Sequence, residues 1–107
     1  MLHPKQFARY FHGSPGGISG DVVLPAVQGR GRSMNELAFA TSRVRDAMGH
    51  ASTKAAEEGR LFGSVYEVNP RKPQRSPLGD PKHVASAEGL DVVKHTGFVS
   101  SEEARWL

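Results

Sequence analysis

Three short stretches hold the residue types that could do chemistry. His12-Gly13-Ser14 ends the run Arg9-Tyr10-Phe11 and opens a glycine-rich turn. A histidine leaving a strand, followed by a residue with no Cβ, lets a ligand lie against bare backbone while imidazole holds its rim. Taken alone, such a histidine also reads as a partly buried strand end. Phe39 lies in the run Asn35 to Thr41 and by itself reads as a core residue of a strand. Asp80 follows Gly79 and precedes Pro81, a pattern that by itself reads as a turn. Among the other histidines, His3 and His50 read as surface residues and His95 as a structural residue of a late strand. His83 lies close enough to Asp80-Pro81 to line the same cleft, or simply to sit in the loop. No pair of these residues has the spacing of a metal site.

The elements that must position them follow from periodicity. Met1 to Gln6 reads as an arm and Phe7 to His12 as a first, aromatic strand. Val22-Val23-Leu24 is a brief apolar segment, and Gln28 to Ser33, with Gly29-Arg30-Gly31-Arg32, reads as a loop. In the strand Asn35 to Thr41, Leu37 and Phe39 share one face and Ala38 and Ala40 the other. Thr41 or Ser42 can cap a helix running to about Glu58, with Gly59 as its C′ residue. Its stripe of Val44, Ala47, Met48, Ala51 and Ala55 is made of small side chains, so the helix should lie close against a sheet. Leu61 to Val68 is the clearest strand, with Val65 and Glu67 on one face, Tyr66 and Val68 on the other, and Pro70 as its stop. Arg71 to Pro81 reads as an extended loop. Leu90 to His95 reads as a further strand, continued through Phe98-Val99 after a glycine bulge. Ser100-Ser101-Glu102-Glu103 matches a capping box for a short final helix carrying Trp106. Strands interrupted by one main helix and long loops predict an α+β fold.

Composition narrows the function classes. A chain of 107 residues makes one domain with a single modest core. It contains no cysteine, which excludes disulfides, thiolate zinc sites and cysteine nucleophiles, and fits a reducing, cytoplasmic setting. No stretch approaches the roughly 20 apolar residues of a membrane span, so no membrane association is expected. The N-terminal residues lack a signal-peptide core. A formal charge of +3 is too small to imply a polyanionic partner.

Taken in order, these residues resemble the ADP-ribosyltransferase superfamily, in particular its small rifampin ADP-ribosyltransferase branch. The resemblance rests on Tyr10-Phe11-His12-Gly13-Ser14, on Met34-Asn35-Glu36-Leu37-Ala38-Phe39-Ala40-Thr41 with the helix after it, and on Val65-Tyr66-Glu67-Val68-Asn69-Pro70 followed by Asp80-Pro81. It extends over residues 7–95. It implies a split, curved β-sandwich over residues 1–107, with one main helix, a short C-terminal helix and a cleft between two small sheets. It also implies NAD as co-substrate: cleavage of the nicotinamide–ribose bond and transfer of ADP-ribose to an acceptor. His12 and Asp80 would then be catalytic, with His12, Gly13, Ser14 and Phe39 binding NAD. His12 would hydrogen-bond a ribose hydroxyl, Gly13 would meet the nicotinamide amide, Phe39 would stack, and Asp80 would stabilise the ribosyl cation. The family usually has tyrosine where this chain has Phe39, so the ring remains but its hydroxyl is lost. The segment from Pro81 to Gly89 is also shorter than in the drug-modifying relatives, which opens the acceptor to proteins, nucleic acids or other small molecules.

Two other readings stand beside this one. The same fold without catalysis would serve as an interaction or assembly module, as in a phage or toxin system. A nucleic-acid-binding domain would use Arg30, Arg32, Arg71, Lys72 and Arg75, but no aromatic residues are interleaved with them.

Overall fold

Alternation along one long strand organises the structure. In the computed structural model, which describes residues 9–18, 20–25, 37–77 and 79–107, β4 (Phe62–Pro70) lies between β1 (Tyr10–Ser14) and β7 (Leu90–Ser100). Val65 on one face of β4 packs with Phe11, Ala47, Met48, Ala51 and Val99. Tyr66 and Val68, on the other face, pack with Ala38, Ala40 and Leu90. The period of two seen in the sequence thus separates two core clusters on either side of one strand.

The remaining elements are β2 (Val22–Val23), β3 (Ala38–Thr41), α1 (Val44–Glu57), β5 (Gln74–Arg75) and β6 (His83–Ser86). They complete a seven-stranded sheet of order β2-β7-β4-β1-β3-β6-β5, antiparallel at every pairing. The fold is α+β, as the sequence predicts. The sheet curls: Ala38 and Ala40 of β3 share a core cluster with Leu90 of β7, although β4 and β1 lie between those strands.

The helix behaves as its composition requires. Its buried stripe is Ala47, Met48, Ala51, Ser52 and Ala55, and the backbone comes so near the sheet that two strand positions must be glycine. A Cβ on Gly13 would lie 2.2 Å from the Ala47 carbonyl oxygen, and one on Gly63 2.5 Å from that of Ala51. Gly59 takes φ +72° and closes the helix as predicted, its N–H donating to Ala56 O while Arg60 N–H donates to Ala55 O. At the other end the N-cap position is Arg43 rather than Thr41 or Ser42. Thr41 Oγ1 instead accepts the Arg43 N–H at 3.1 Å.

Three expectations change. The final helix is absent among the described residues. The first half of its capping box does form, Glu103 N–H donating to Ser100 Oγ at 3.1 Å, but Ala104 then takes φ +50° and the chain turns back. Ser100 N–H reaches Arg105 O, Leu107 N–H reaches Phe98 O, and Trp106 pairs with Val99 as a β-bridge. Seven residues can satisfy more backbone against β7 than in two isolated helical turns, whose nucleation is unfavourable. Gly97 leaves room for the indole, since a Cβ there would stand 3.0 Å from the Trp106 ring. Second, the stretch expected as loop after Pro70 contains β5, and β6 follows it. Neither has a readable period, and both exist because β3 offers an edge for β6 to pair with. Third, Pro70 is the last residue of β4 rather than lying beyond it. The expected N-terminal arm, the arginine–glycine loop and residues 7–8 lie outside the described residues. β7 does continue through Gly97, with register shifts opposite Val65/Tyr66 and Glu67/Val68.

Among the described residues no helix is long and apolar enough to cross a membrane.

Ser86 is a buried polar hub. Its hydroxyl donates to Arg71 O and accepts the N–H groups of Glu88 (3.2 Å) and Gly89 (3.1 Å). Ser86→Ala leaves these groups without their buried partner and should cost about 1–3 kcal/mol, read as a lower midpoint in urea unfolding with an unchanged slope.

Candidate functional site

The site arises where the sheet almost comes apart. β1 pairs with β4 along its whole length, but with β3 only at Phe11↔Thr41. Continued register would set His12 opposite Ala40 and Gly13 opposite Phe39. Instead the strands diverge and the His12 imidazole enters the gap, its Nδ1–H donating to Phe39 O at 2.8 Å. The side chain thus takes the bond that a strand amide would have made. The facing edge of β1 at Gly13 is left without a strand partner there, and a cleft of about 380 Å³ opens. That volume lies within the roughly 300–1,000 Å³ of small-molecule sites.

His12, Gly13 and Phe39 all line this cleft. Ala38 and Ala40 belong to a core cluster, whereas Phe39 is half-buried and belongs to neither cluster; all three border the cleft. Gly13 has a second duty, since its missing Cβ seats α1. Ser14 is set apart: its hydroxyl donates to Gly16 O at 2.7 Å and serves the turn. Asp80 is not a lining residue either. It stands at the mouth, connected to the cleft through His83, which does line it.

The Asp80-Pro81-Lys82-His83 turn holds that connection. Asp80 Oδ1 accepts the Lys82 N–H at 2.9 Å, and Asp80 O accepts the His83 N–H at 3.0 Å. This is the local bonding that Asp before Pro favours. The Lys82 N–H, together with the nearby His83 and Arg43, holds the Asp80 carboxyl below the usual carboxylate range. His83 Nδ1 is closed to water and lies 3.2 Å from Asp80 Oδ2 without making a full hydrogen bond to it. Its Nε2 lies 3.9 Å from Asp46 Oδ2 on α1.

No known family model matches the chain, and no curated protein does.

Two cleft residues were not legible as such in sequence. Asp46 carries no signal of its own; His50 reads as a surface residue and is exposed, and what the sequence does not show is that its exposed side borders the cleft. They are four apart on α1, hence on one helical face, and both line the cleft. That spacing was the available sign, but only the gap beside β1 gives it meaning. The tertiary structure also brings together what linear spacing had excluded: ligand atoms of Asp46, Asp80 and His83 lie within 4.8 Å of one another, a set whose chemistry suits a divalent cation.

Burial disfavours the charged form of two of the cleft imidazoles, His12 and His50. Burial lowers the proton affinity of His12, offset in part by the bond to Phe39 O. His50 is lowered by the enclosing walls and then by repulsion from His12 and Lys54. With its proton on Nδ1, neutral His12 keeps an acceptor lone pair on Nε2. Outside the cleft, two of the basic residues that a nucleic-acid-binding domain would use are paired, Arg71 with Asp91 at 2.7 Å and Lys72 with Glu88 at 3.2 Å. Arg30 and Arg32 lie outside the described residues.

Proposed function

We propose that this chain is an NAD-dependent mono-ADP-ribosyltransferase, on an ADP-ribosyltransferase-like split and curved β-fold, acting on an acceptor that is a protein, a nucleic acid or a small molecule. One observation carries the reading. His12, Gly13 and Phe39, which the resemblance assigns to NAD, meet on the wall of one cleft at the place where β1 and β3 part. The chemical needs of the reaction match what lies there. Neutral His12 can accept a ribose hydroxyl at Nε2, the unpartnered β1 edge at Gly13 can meet an amide, and the Phe39 ring offers a flat apolar surface. Asp80, ionised at the mouth, suits the cation that develops as the C1′–N bond breaks and its electron pair leaves on nicotinamide. Ser14 has no part in this reading, because its hydroxyl closes the turn.

A second reading has its own support. Phe39 lacks the hydroxyl that the family's tyrosine would bring. Exposed Phe62 and Phe98 also form apolar surface at one end of β4 and β7, their rings edge-to-face at 5.0 Å. An assembly module would keep the cleft without turnover.

The deciding experiment titrates the protein with NAD and follows nicotinamide release, with Phe39→Ala and Phe39→Tyr alongside. The transferase reading expects saturable binding, release above the uncatalysed rate, and an affinity about tenfold or more weaker in Phe39→Ala, the size of a lost base-stacking contact. Phe39→Tyr should bind at least as well as the wild type. Binding without release would favour the assembly module, and no binding would reject the NAD site.

A further inference from the structure

Asp46, Asp80 and His83 come from three places in the chain: the first turn of α1, the turn before β6, and the first residue of β6. One ligand atom of each lies within 4.8 Å of the other two. Among the described residues neither carboxylate forms an ion pair with a lysine or arginine. His83 faces both, with Nε2 at 3.9 Å from Asp46 Oδ2 and Nδ1 at 3.2 Å from Asp80 Oδ2. The turn holds Asp80 by its other oxygen, Oδ1, which accepts the Lys82 N–H, so Oδ2 is left to face His83.

A second sign comes from His83 Nδ1. The atom is buried and has no hydrogen-bond partner, although a carboxylate oxygen stands 3.2 Å away. A buried nitrogen left in this way costs free energy unless something else engages it. Two atoms that bind one ion at about 2.1 Å each stand roughly 3.0–3.4 Å apart in octahedral or tetrahedral geometry, with no hydrogen bond between them. A bare ion at that distance also needs less room than a water molecule, so a nitrogen closed to water stays open to a metal.

We propose that Asp46, Asp80 and His83 bind a divalent transition-metal ion, of the manganese or zinc class, at the rim of the cleft. Imidazole among the ligands selects these ions over magnesium and calcium, which take oxygen donors. Three protein ligands leave coordination positions open, unlike the closed set of a structural metal. His83 and Asp46 line the cleft, and the side chains of His83, Asp46 and Asp80 keep 26 %, 36 % and 40 % of their surface exposed. The open positions therefore take an oxygen of water or of a ligand in the cleft. The ion site does not depend on the transferase reading; on that reading, ion and ribosyl cation compete for the Asp80 carboxylate.

The experiment titrates chelator-stripped protein with Mn²⁺ at pH 7.5, without NAD, by calorimetry and by proton–nitrogen NMR. We expect one site per chain, displacement of Mn²⁺ by Zn²⁺, and Mg²⁺ binding at least about tenfold more weakly. The wild type alone gives the location. Paramagnetic broadening should centre on Asp46, Asp80 and His83 and spare His95, an exposed histidine of β7. Asp46→Asn, Asp80→Asn and His83→Gln keep a polar group of similar size but remove a ligand charge or the imidazole. Each should weaken Mn²⁺ at least about tenfold, with melting curves showing the variants folded, whereas His95→Gln should stay within about threefold. Broadening centred elsewhere, or no saturable binding up to about 1 mM, overturns the proposal. So does an affinity that survives Asp80→Asn and His83→Gln undiminished. Because NAD is absent throughout, failure of the transferase reading leaves these outcomes unchanged, and failure here leaves that reading standing.

Discussion

Gly13→Ala is expected to destabilise the protein by about 3 kcal/mol or more, at the upper end of what overpacking costs. The new methyl would lie 2.2 Å from the Ala47 carbonyl oxygen and 2.9 Å from the Ala51 amide nitrogen. Both are backbone atoms of a fourteen-residue helix, so no side-chain rotation relieves the contact. The helix must lift, and the packing of its Met48 against Phe11, Val65 and Val99 loosens. Since each kcal/mol moves the midpoint of a small domain by roughly 4–8 °C, thermal unfolding should shift down by at least about 12 °C. Gly49→Ala is the matched control. It lies on the same helix with nothing within 4 Å of its added methyl, and should stabilise by about 0.5–1 kcal/mol. A Gly13→Ala variant with the wild-type midpoint would show that α1 does not sit where the structure has it.

His12→Ala should affect both ligand and fold. Without the imidazole, Phe39 O loses its donor, and on the transferase reading proposed above the ribose loses its acceptor, so NAD affinity should fall about a hundredfold, the upper range for a hydrogen bond lost in a closed site. Calorimetric titration checks this, and affinity unchanged in His12→Ala would place NAD elsewhere. The same residue shapes the acid response. Burial lowers His12 below its usual value of 6.5, and His50 is lowered too, so below pH 6.5 the unfolded chain binds more protons than the folded one. Stability that is complete above that pH is therefore lost progressively as pH falls. Melting curves between pH 7.5 and 5 should show a decline in the wild type and a shallower one in His12→Ala, His50 accounting for the remainder. The ionised carboxylates Asp80, Asp91 and Glu67, all held below their usual values, add their own losses only in stronger acid.

The chain shows unevenly how far local pattern reaches. Val65, Tyr66, Glu67 and Val68 alternate as a strand must, and β4 follows. Gly59 after a small-residue stripe ends α1 as its left-handed φ permits. At the C-terminus the local signal is genuine and still loses. Ser100 makes its capping bond, but the open edge of β7 offers Ser100, Trp106 and Leu107 backbone partners that a terminal helical turn cannot. β5 and β6 carry no period because two- and four-residue strands owe their existence to neighbours.

The same division governs the site. The sequence by itself determined which residues are chemically apt: His12 beside a glycine, Phe39 on a strand face, and an Asp-Pro turn at 80–81. These are matters of side-chain type and bonds within a few residues. Only the tertiary structure decided that β1 and β3 part after a single pair, that His12 fills the gap, and that Asp46 and His50 of α1 face it. It also decided that Asp80 stands beside His83 of the cleft wall, while the Ser14 hydroxyl bonds to Gly16 O. A cleft is a missing contact between distant segments, and absent pairing between β1 and β3 leaves no mark in either strand's own sequence.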